Sequence, residues 1–154
     1  MPDVINKMSK DRQPRVGVGV MILRNGKVLL GKRHADSKKA DSELHGEGTW
    51  TMPGGKLEFG EKLKSVAKRE VFEETGIKIN EENLEIISVT DDILKDAHFV
   101  TIGFLCTKFF GIPKVMEPDE ITLWKWFDLN NLPSPIFFPS KKILEKHLKK
   151  RGLA

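Results

Sequence analysis

The chain has 154 residues, 39% of them hydrophobic and 31% charged, with a formal net charge of +4 and an isoelectric point near 9.1. That balance suits one folded domain with a proper core and excludes a disordered chain. Nor does any apolar run approach the roughly 18 residues that cross a bilayer, so no membrane partner is expected.

Residues 1–14 carry charge but no apolar segment of the secretory kind, and are predicted to form a mobile arm ahead of a single domain over 15–150. Residues 15–31 alternate Val16, Val18, Val20 and Ile22 with small or apolar partners, and Asn25-Gly26 then supplies a two-residue turn before Val28-Leu29-Leu30. This pattern predicts a β-hairpin with a type I′ turn. Gly17 and Gly19 signal a close approach to one face of the first strand, either by a ligand or by a packed helix. Residues 34–49 are polar and aperiodic, a long loop of the sort that carries function.

WTMPGGKLEFGE follows, predicted as a short strand broken at Pro53-Gly54-Gly55. A helix starts near Glu61 and stops at Gly76. LEIISVTDD, HFVTIGFLCTKFF and the stretch around Leu123–Phe127 are three more strands, and a helix covers 139–150. No repeat or internal domain boundary interrupts this order. Strands with one central and one terminal helix predict an α+β or α/β/α layered domain on a mixed sheet.

Two features have bland readings. The single cysteine, Cys106, lies in an apolar strand with no CxxC or Cys/His cluster, so it is expected to be a buried structural thiol in a reducing, cytoplasmic setting. The basic tail KKILEKHLKKRG lacks the interleaved aromatics that stack bases, and reads as a solvated helix face.

The central helix poses the main question. On a helical wheel Glu70 and Glu74 fall inside the apolar stripe made by Leu63, Val66, Ala67 and Val71, with Glu73 at its border. A carboxylate in such a stripe costs several kcal/mol unless it is paired or binds a metal. The candidates are a salt bridge to Arg69, Lys68 or Arg33, a rotated helix, or a hard-cation site. Glu70, Glu73 and Glu74 stand at i, i+3 and i+4, which brings three acids to one patch. An oxygen-only set without His or Cys selects Mg²⁺ or Mn²⁺ over zinc.

From Gly55 to Ile77 the chain reads glycine, five residues, Glu61, seven residues, then Arg69-Glu70-Val71-Phe72-Glu73-Glu74-Thr75-Gly76-Ile77. This resembles the Nudix box at every fixed position. The resemblance implies a Nudix-type α/β/α sandwich with a central mixed β-sheet, and hydrolysis of a nucleoside diphosphate linked to another moiety. It implies that Glu70, Glu73 and Glu74 bind divalent metal and that one of them deprotonates the attacking water. It further implies that Arg69 orients the carboxylates, Glu61 fixes the network and the Gly55 carbonyl joins the metal shell. Mg²⁺ is the expected cofactor, with Mn²⁺ as its substitute. Gly54 and Gly55 are expected where backbone meets phosphate, unless they serve only the turn into the helix.

Outside the box, GVGVMIL, VLLGKRH, GTWTMPGGKLEFGE, EPDE and WKWFDLNNLP are similar to the MutT-type subgroup that converts nucleoside triphosphates, oxidised ones included, to monophosphate and pyrophosphate. ADP-ribose or another nucleoside diphosphate sugar, a 5′ RNA end, a diadenosine polyphosphate and a non-catalytic nucleotide sensor are the other readings. Lys32 and Arg33 end a strand and are candidate phosphate ligands; alternation lets only one face the site, and Arg33, with its bidentate donors, is the expected one. Phe138, with Phe137, is a candidate wall of the base pocket. Glu117 and its neighbour Glu120 are candidates for an extra metal ligand or base, or a plain surface loop, and His98 is expected to be structural. The partners expected are a nucleotide and, as an open matter, a second copy of the chain.

Overall fold

The computed structural model describes residues 13–40, 42 and 44–152; most of the predicted arm therefore lies outside the described residues. The elements run β1 (Arg15–Arg24), β2 (Lys27–Arg33), β3 (Trp50–Thr51), β4 (Gly54–Lys56), α1 (Leu63–Thr75), a 3-10 turn (Glu81–Asn83), β5 (Glu85–Ile93), β6 (His98–Cys106), β7 (Ile121–Asp128) and α2 (Phe138–Lys150). Asn25 and Gly26 both take positive φ, 52° and 74°, as a type I′ hairpin turn requires.

The seven strands make one mixed sheet in the order β3-β2-β1-β6-β5, with β4 also paired to β1 and β7 to β2. β1 is the hub. It runs parallel to β6 and antiparallel to β4, and meets β2 only at Leu23↔Val28 and Arg24↔Lys27.

Alternation along β1 divides the core between two helices. Val18, Val20 and Ile22 pack with Val66, Ala67 and Val71 of α1, whereas Met21 packs with Ile143 and Leu144 of α2. Burying each such side chain stabilises the fold by about 1.5–3 kcal/mol. The result is the α/β/α sandwich.

The two glycines of β1 have different reasons. Gly19 lies opposite Gly103 on β6, and a Cβ on either would stand 2.7 or 2.8 Å from Ile143. Gly19 therefore answers to helix packing. At Gly17 no helix stands so close: a Cβ there would meet the Gly55 carbonyl at 3.4 Å, and the residue lines a cavity.

α1 ends where predicted: Gly76 has φ 77° and its N–H donates to the Phe72 carbonyl at 2.9 Å. The Trp124 indole N–H donates to the Glu74 carbonyl at 3.2 Å, tying this end of the helix to β7.

The strand break in WTMPGG falls elsewhere than predicted. It comes at Met52-Pro53, and Gly54-Gly55 are themselves strand β4, paired to Gly19 and Val18. The reason is steric, since a Cβ on Gly54 would collide with the Val18 carbonyl oxygen. Among the described residues no helix is long and apolar enough to cross a membrane.

Candidate active site

The carboxylates of α1 are held by one arginine. Arg69 Nε and Nη2 donate to Glu61 at 2.6 and 2.9 Å, a two-pronged fork, while Nη1 donates to Glu70 at 2.8 Å and to Glu73 at 3.2 Å. The fork holds the Glu61 carboxyl below its usual range and keeps Arg69 protonated. The salt bridge raised from the sequence thus exists, but a single cation serves three acids.

Glu70 and Glu74 meet over β4. Gly55 pairs with Val18 and so shares the α1 side of the sheet, where both Glu70 carboxyl oxygens stand 2.6 Å from the position a Cβ would take. Glu74 accepts from the Gly54 N–H at 3.3 Å. Burial, then the Glu70 charge, pushes the Glu74 carboxyl well up, and burial pushes Glu70 up against the pull of Arg69. Close approach explains both glycines, but to the Val18 backbone and the Glu70 carboxyl.

Of the three acids, the structure joins Glu70 with Glu74 and leaves Glu73 half-exposed on Arg69. In this conformation no three His, Cys, Asp or Glu side chains among the described residues stand close enough to hold an ion. The donor set nonetheless fits a hard divalent cation. It is all oxygen, and Glu70 and Glu74 converge on Gly54-Gly55, where a cation would relieve the repulsion between them.

A cavity opens beside Glu74, lined by residues of β1, β4, β6, α1 and α2. Gly17, Gly19, Phe99 and Thr101 form its floor, Phe137, Pro139, Ser140 and Ile143 one wall, and Ala40, Ser42 and Leu44 another. Arg33 and Lys56 bring positive charge to it. The alternation argument for β2 holds: Arg33 lines the cavity, while Lys32 is turned to the Trp50 ring at 5.2 Å. Arg33 Nη2 donates to the Ala40 carbonyl at 2.9 Å, and its Cζ lies 4.6 Å from the centre of the Phe137 ring. Burial lowers its pKa, opposed by the charges of Glu120, Glu47 and Glu74.

Other candidates fall differently. Phe137 lines the cavity and Phe138 does not; Phe138 packs behind it, ring centres 5.4 Å apart. The exchange of roles follows from Phe137 standing just ahead of α2, with its N–H on the Trp50 carbonyl at 2.8 Å. Glu120, rather than Glu117, reaches the cavity; burial, then the charges of Glu120 and Glu73, raise the Glu117 carboxyl. His98 binds Asp91 at 3.2 Å across the β5–β6 end, away from the cavity. Cys106 is buried, its thiol donates to the Lys108 carbonyl, and burial pushes its pKa up, as an inert structural thiol requires. Lys56, Thr101 and Ser140 went unnoticed in the sequence. For Lys56 the signal was there: alternation from Gly54 puts it on the cavity side, opposite Gly17.

Comparison with known proteins gives a consistent result. Residues 13–147 match the sequence profile of the NUDIX domain. The chain is 29% identical over 136 residues to the ADP-ribose pyrophosphatase of Methanocaldococcus jannaschii, covering 88% of this chain and 74% of that one. It is 32% identical over 120 residues to the oxidized purine nucleoside triphosphate hydrolase of Danio rerio, covering 74% and 66%. Among solved structures, a MutT NUDIX hydrolase from Burkholderia pseudomallei superposes with a TM-score of 0.78 at 36% identity, covering 88% of this chain and 98% of that one.

Proposed function

The chain belongs to the NUDIX domain family and is a pyrophosphohydrolase acting on phosphoanhydride bonds; from that premise we propose that it converts nucleoside triphosphates, oxidised or otherwise non-canonical ones among them, to monophosphate and pyrophosphate. The observation that carries this reading is the placement of Arg33 and Lys56 in the same cavity as Glu74. A triphosphate carries more charge than the bridge of a nucleotide sugar, and two cations beside the carboxylate patch suit it. The similarity, at 32% identity, to a Danio rerio protein named an oxidized purine nucleoside triphosphate hydrolase supports the same substrate class.

Members of the family generally use divalent metal ions. Here Glu70, Glu74 and the Gly55 carbonyl would hold the ion, with Glu73 able to join by giving up its 3.2 Å contact with Arg69. Mg²⁺ is the proposed ion and Mn²⁺ its substitute. When bound it supplies charge neutralisation on the phosphate oxygens and activation of water. The chain's own residues do the rest. Glu61 and Arg69 fix the direction of Glu70. Arg33 draws in the phosphates, the apolar walls exclude water from the base end, and a carboxylate of α1 takes the proton of the attacking water. A P–O bond to that water forms as the anhydride P–O bond breaks and pyrophosphate leaves.

A second reading has its own support, since the similar protein from M. jannaschii is named an ADP-ribose pyrophosphatase. One experiment separates the two. The protein with Mg²⁺ is incubated with dNTPs, 8-oxo-dGTP, ADP-ribose, sugar nucleotides and 5′-triphosphorylated RNA, and the products are identified. The proposal expects monophosphate plus pyrophosphate from a triphosphate. A higher kcat/KM for ADP-ribose or a sugar nucleotide than for every triphosphate would replace it.

A further inference from the structure

We propose that Phe137 is a positioning residue, clasped between Arg33 and Gly46, which seats the loop residues Ala40, Leu44 and Gly46 as the wall that sets base selectivity in the cavity. The loop touches this ring system at two separated points. At the first, the Ala40 carbonyl accepts from Arg33 Nη2, whose guanidinium lies over the Phe137 ring. At the second, Gly46 lies against Phe137 so closely that a Cβ there would stand 2.5 Å from the ring's Cε1 and 3.3 Å from Arg33 Nη1.

Between these points Leu44 is buried and faces the cavity with Ala40. Residues 35–39 are exposed and mostly polar, so this part of the loop has little apolar area of its own to fix it. Phe137 can serve as an anchor because its own backbone is fixed. Its N–H bonds the Trp50 carbonyl at 2.8 Å, and the Trp50 N–H bonds the Pro135 carbonyl at 3.0 Å. Gly46 is needed for the contact, with φ 155° and no room for a side chain.

The consequence is a division of labour. Phosphorus chemistry belongs to the carboxylates of α1, which meet the cavity at Glu74 beside β4. Arg33 faces the phosphates, while Phe137, Ala40 and Leu44 shape the apolar part of the cavity that receives the base, so disturbing Phe137 or Gly46 should change substrate affinity and selectivity while leaving the chemical step alone. This kinetic consequence rests on the triphosphate reading; the seating of the loop does not.

The test compares Gly46→Ala, Phe137→Ala and the double variant in the full-length protein. Steady-state kinetics with dGTP and dCTP are read beside the rate of trypsin cleavage after Lys38 and Lys39 without nucleotide. Each single variant is expected to raise KM about tenfold, the scale of a partly desolvated cation–π contact, with kcat close to wild type. The dGTP-to-dCTP ratio of kcat/KM should change and loop cleavage should speed up. In the double variant the effects should not add, because the ring that a methyl group at position 46 would strike is gone. Additive effects, a loss confined to kcat, or unchanged cleavage in both single variants would overturn the clasp. If the wild type turns over no triphosphate, the functional reading fails and the cleavage rates alone decide the clasp.

Discussion

Both carboxyl oxygens of Glu70 stand 2.6 Å from the point where a Cβ would project from Gly55, whereas at Gly54 a Cβ would meet the Val18 carbonyl of the neighbouring strand. Adjacent glycines therefore guard different things, one the site and the other the sheet. In Gly55→Ala the flexible end of Glu70 can move aside, so the fold should survive while the carboxylate is displaced. Activity should fall on the order of 100-fold, the scale of a misplaced catalytic group, with Tm little changed. In Gly54→Ala rigid backbone must yield, and stability should fall by roughly 1–3 kcal/mol or more, as for overpacking. Thermal denaturation and turnover of the two variants check this, and a reversed pattern would show that the faces of β4 are misassigned.

The second expectation concerns proton linkage. Burial and the Glu70 charge hold Glu74 well above the ordinary glutamate value, and burial holds Glu70 above it. The metal-free folded protein thus keeps protons that the unfolded chain has released. Its stability should fall as pH rises from about 4.3, the ordinary glutamate value, through the raised titration of this pair. Glu61 runs the other way: its lowered carboxyl contributes stability above the ordinary value, lost as acidification passes through the lowered one. Glu74→Gln should flatten the falling limb and raise Tm at neutral pH in EDTA. A variant whose Tm tracks the wild type at every pH would contradict a strained pair.

Arg33 and Lys32 leave β2 on opposite faces, one into the cavity and the other toward Trp50. If Arg33 grips the phosphates, Arg33→Ala should raise KM for triphosphates by roughly 1.5–3 kcal/mol, the scale of a charge-assisted hydrogen bond. Lys32→Ala should do much less. The opposite order in steady-state kinetics would place the grip on the other face.

Patterns local in the chain were readable from it. The hairpin turn at Asn25-Gly26, the helix stop at Gly76, the facing of Arg33 and the burial of Cys106 all depend on neighbours a few residues away. The wheel that placed Glu70 and Glu74 in the apolar stripe was right about their direction: that stripe packs on β1, and the two acids reach the glycines of β4 paired to it. What could not be read is assembled from distant segments. The choice of Phe137 over Phe138 is made by hydrogen bonds to Trp50, and the need for Gly54 is set by Val18 of another strand. Glu73 was expected beside Glu70 and Glu74, but helical spacing does not tell which acid Arg69 draws away. The lining residues Thr101 and Ser140 come from β6 and α2 and have no signal in their own neighbourhoods.

The most direct measurement of the central claim is triphosphate turnover as a function of added Mg²⁺ for the wild type, Glu70→Gln and Glu74→Gln, starting from metal-free protein. Each substitution keeps the side chain's size and removes one ligand charge beside Gly54-Gly55. Turnover is expected to be absent without metal, to rise with Mg²⁺ in the wild type, and to be lower by orders of magnitude in both variants while their folds persist. Near-normal turnover in both variants, or turnover in rigorously metal-free wild type, would mean that the carboxylates of α1 form only a structural network around Arg69.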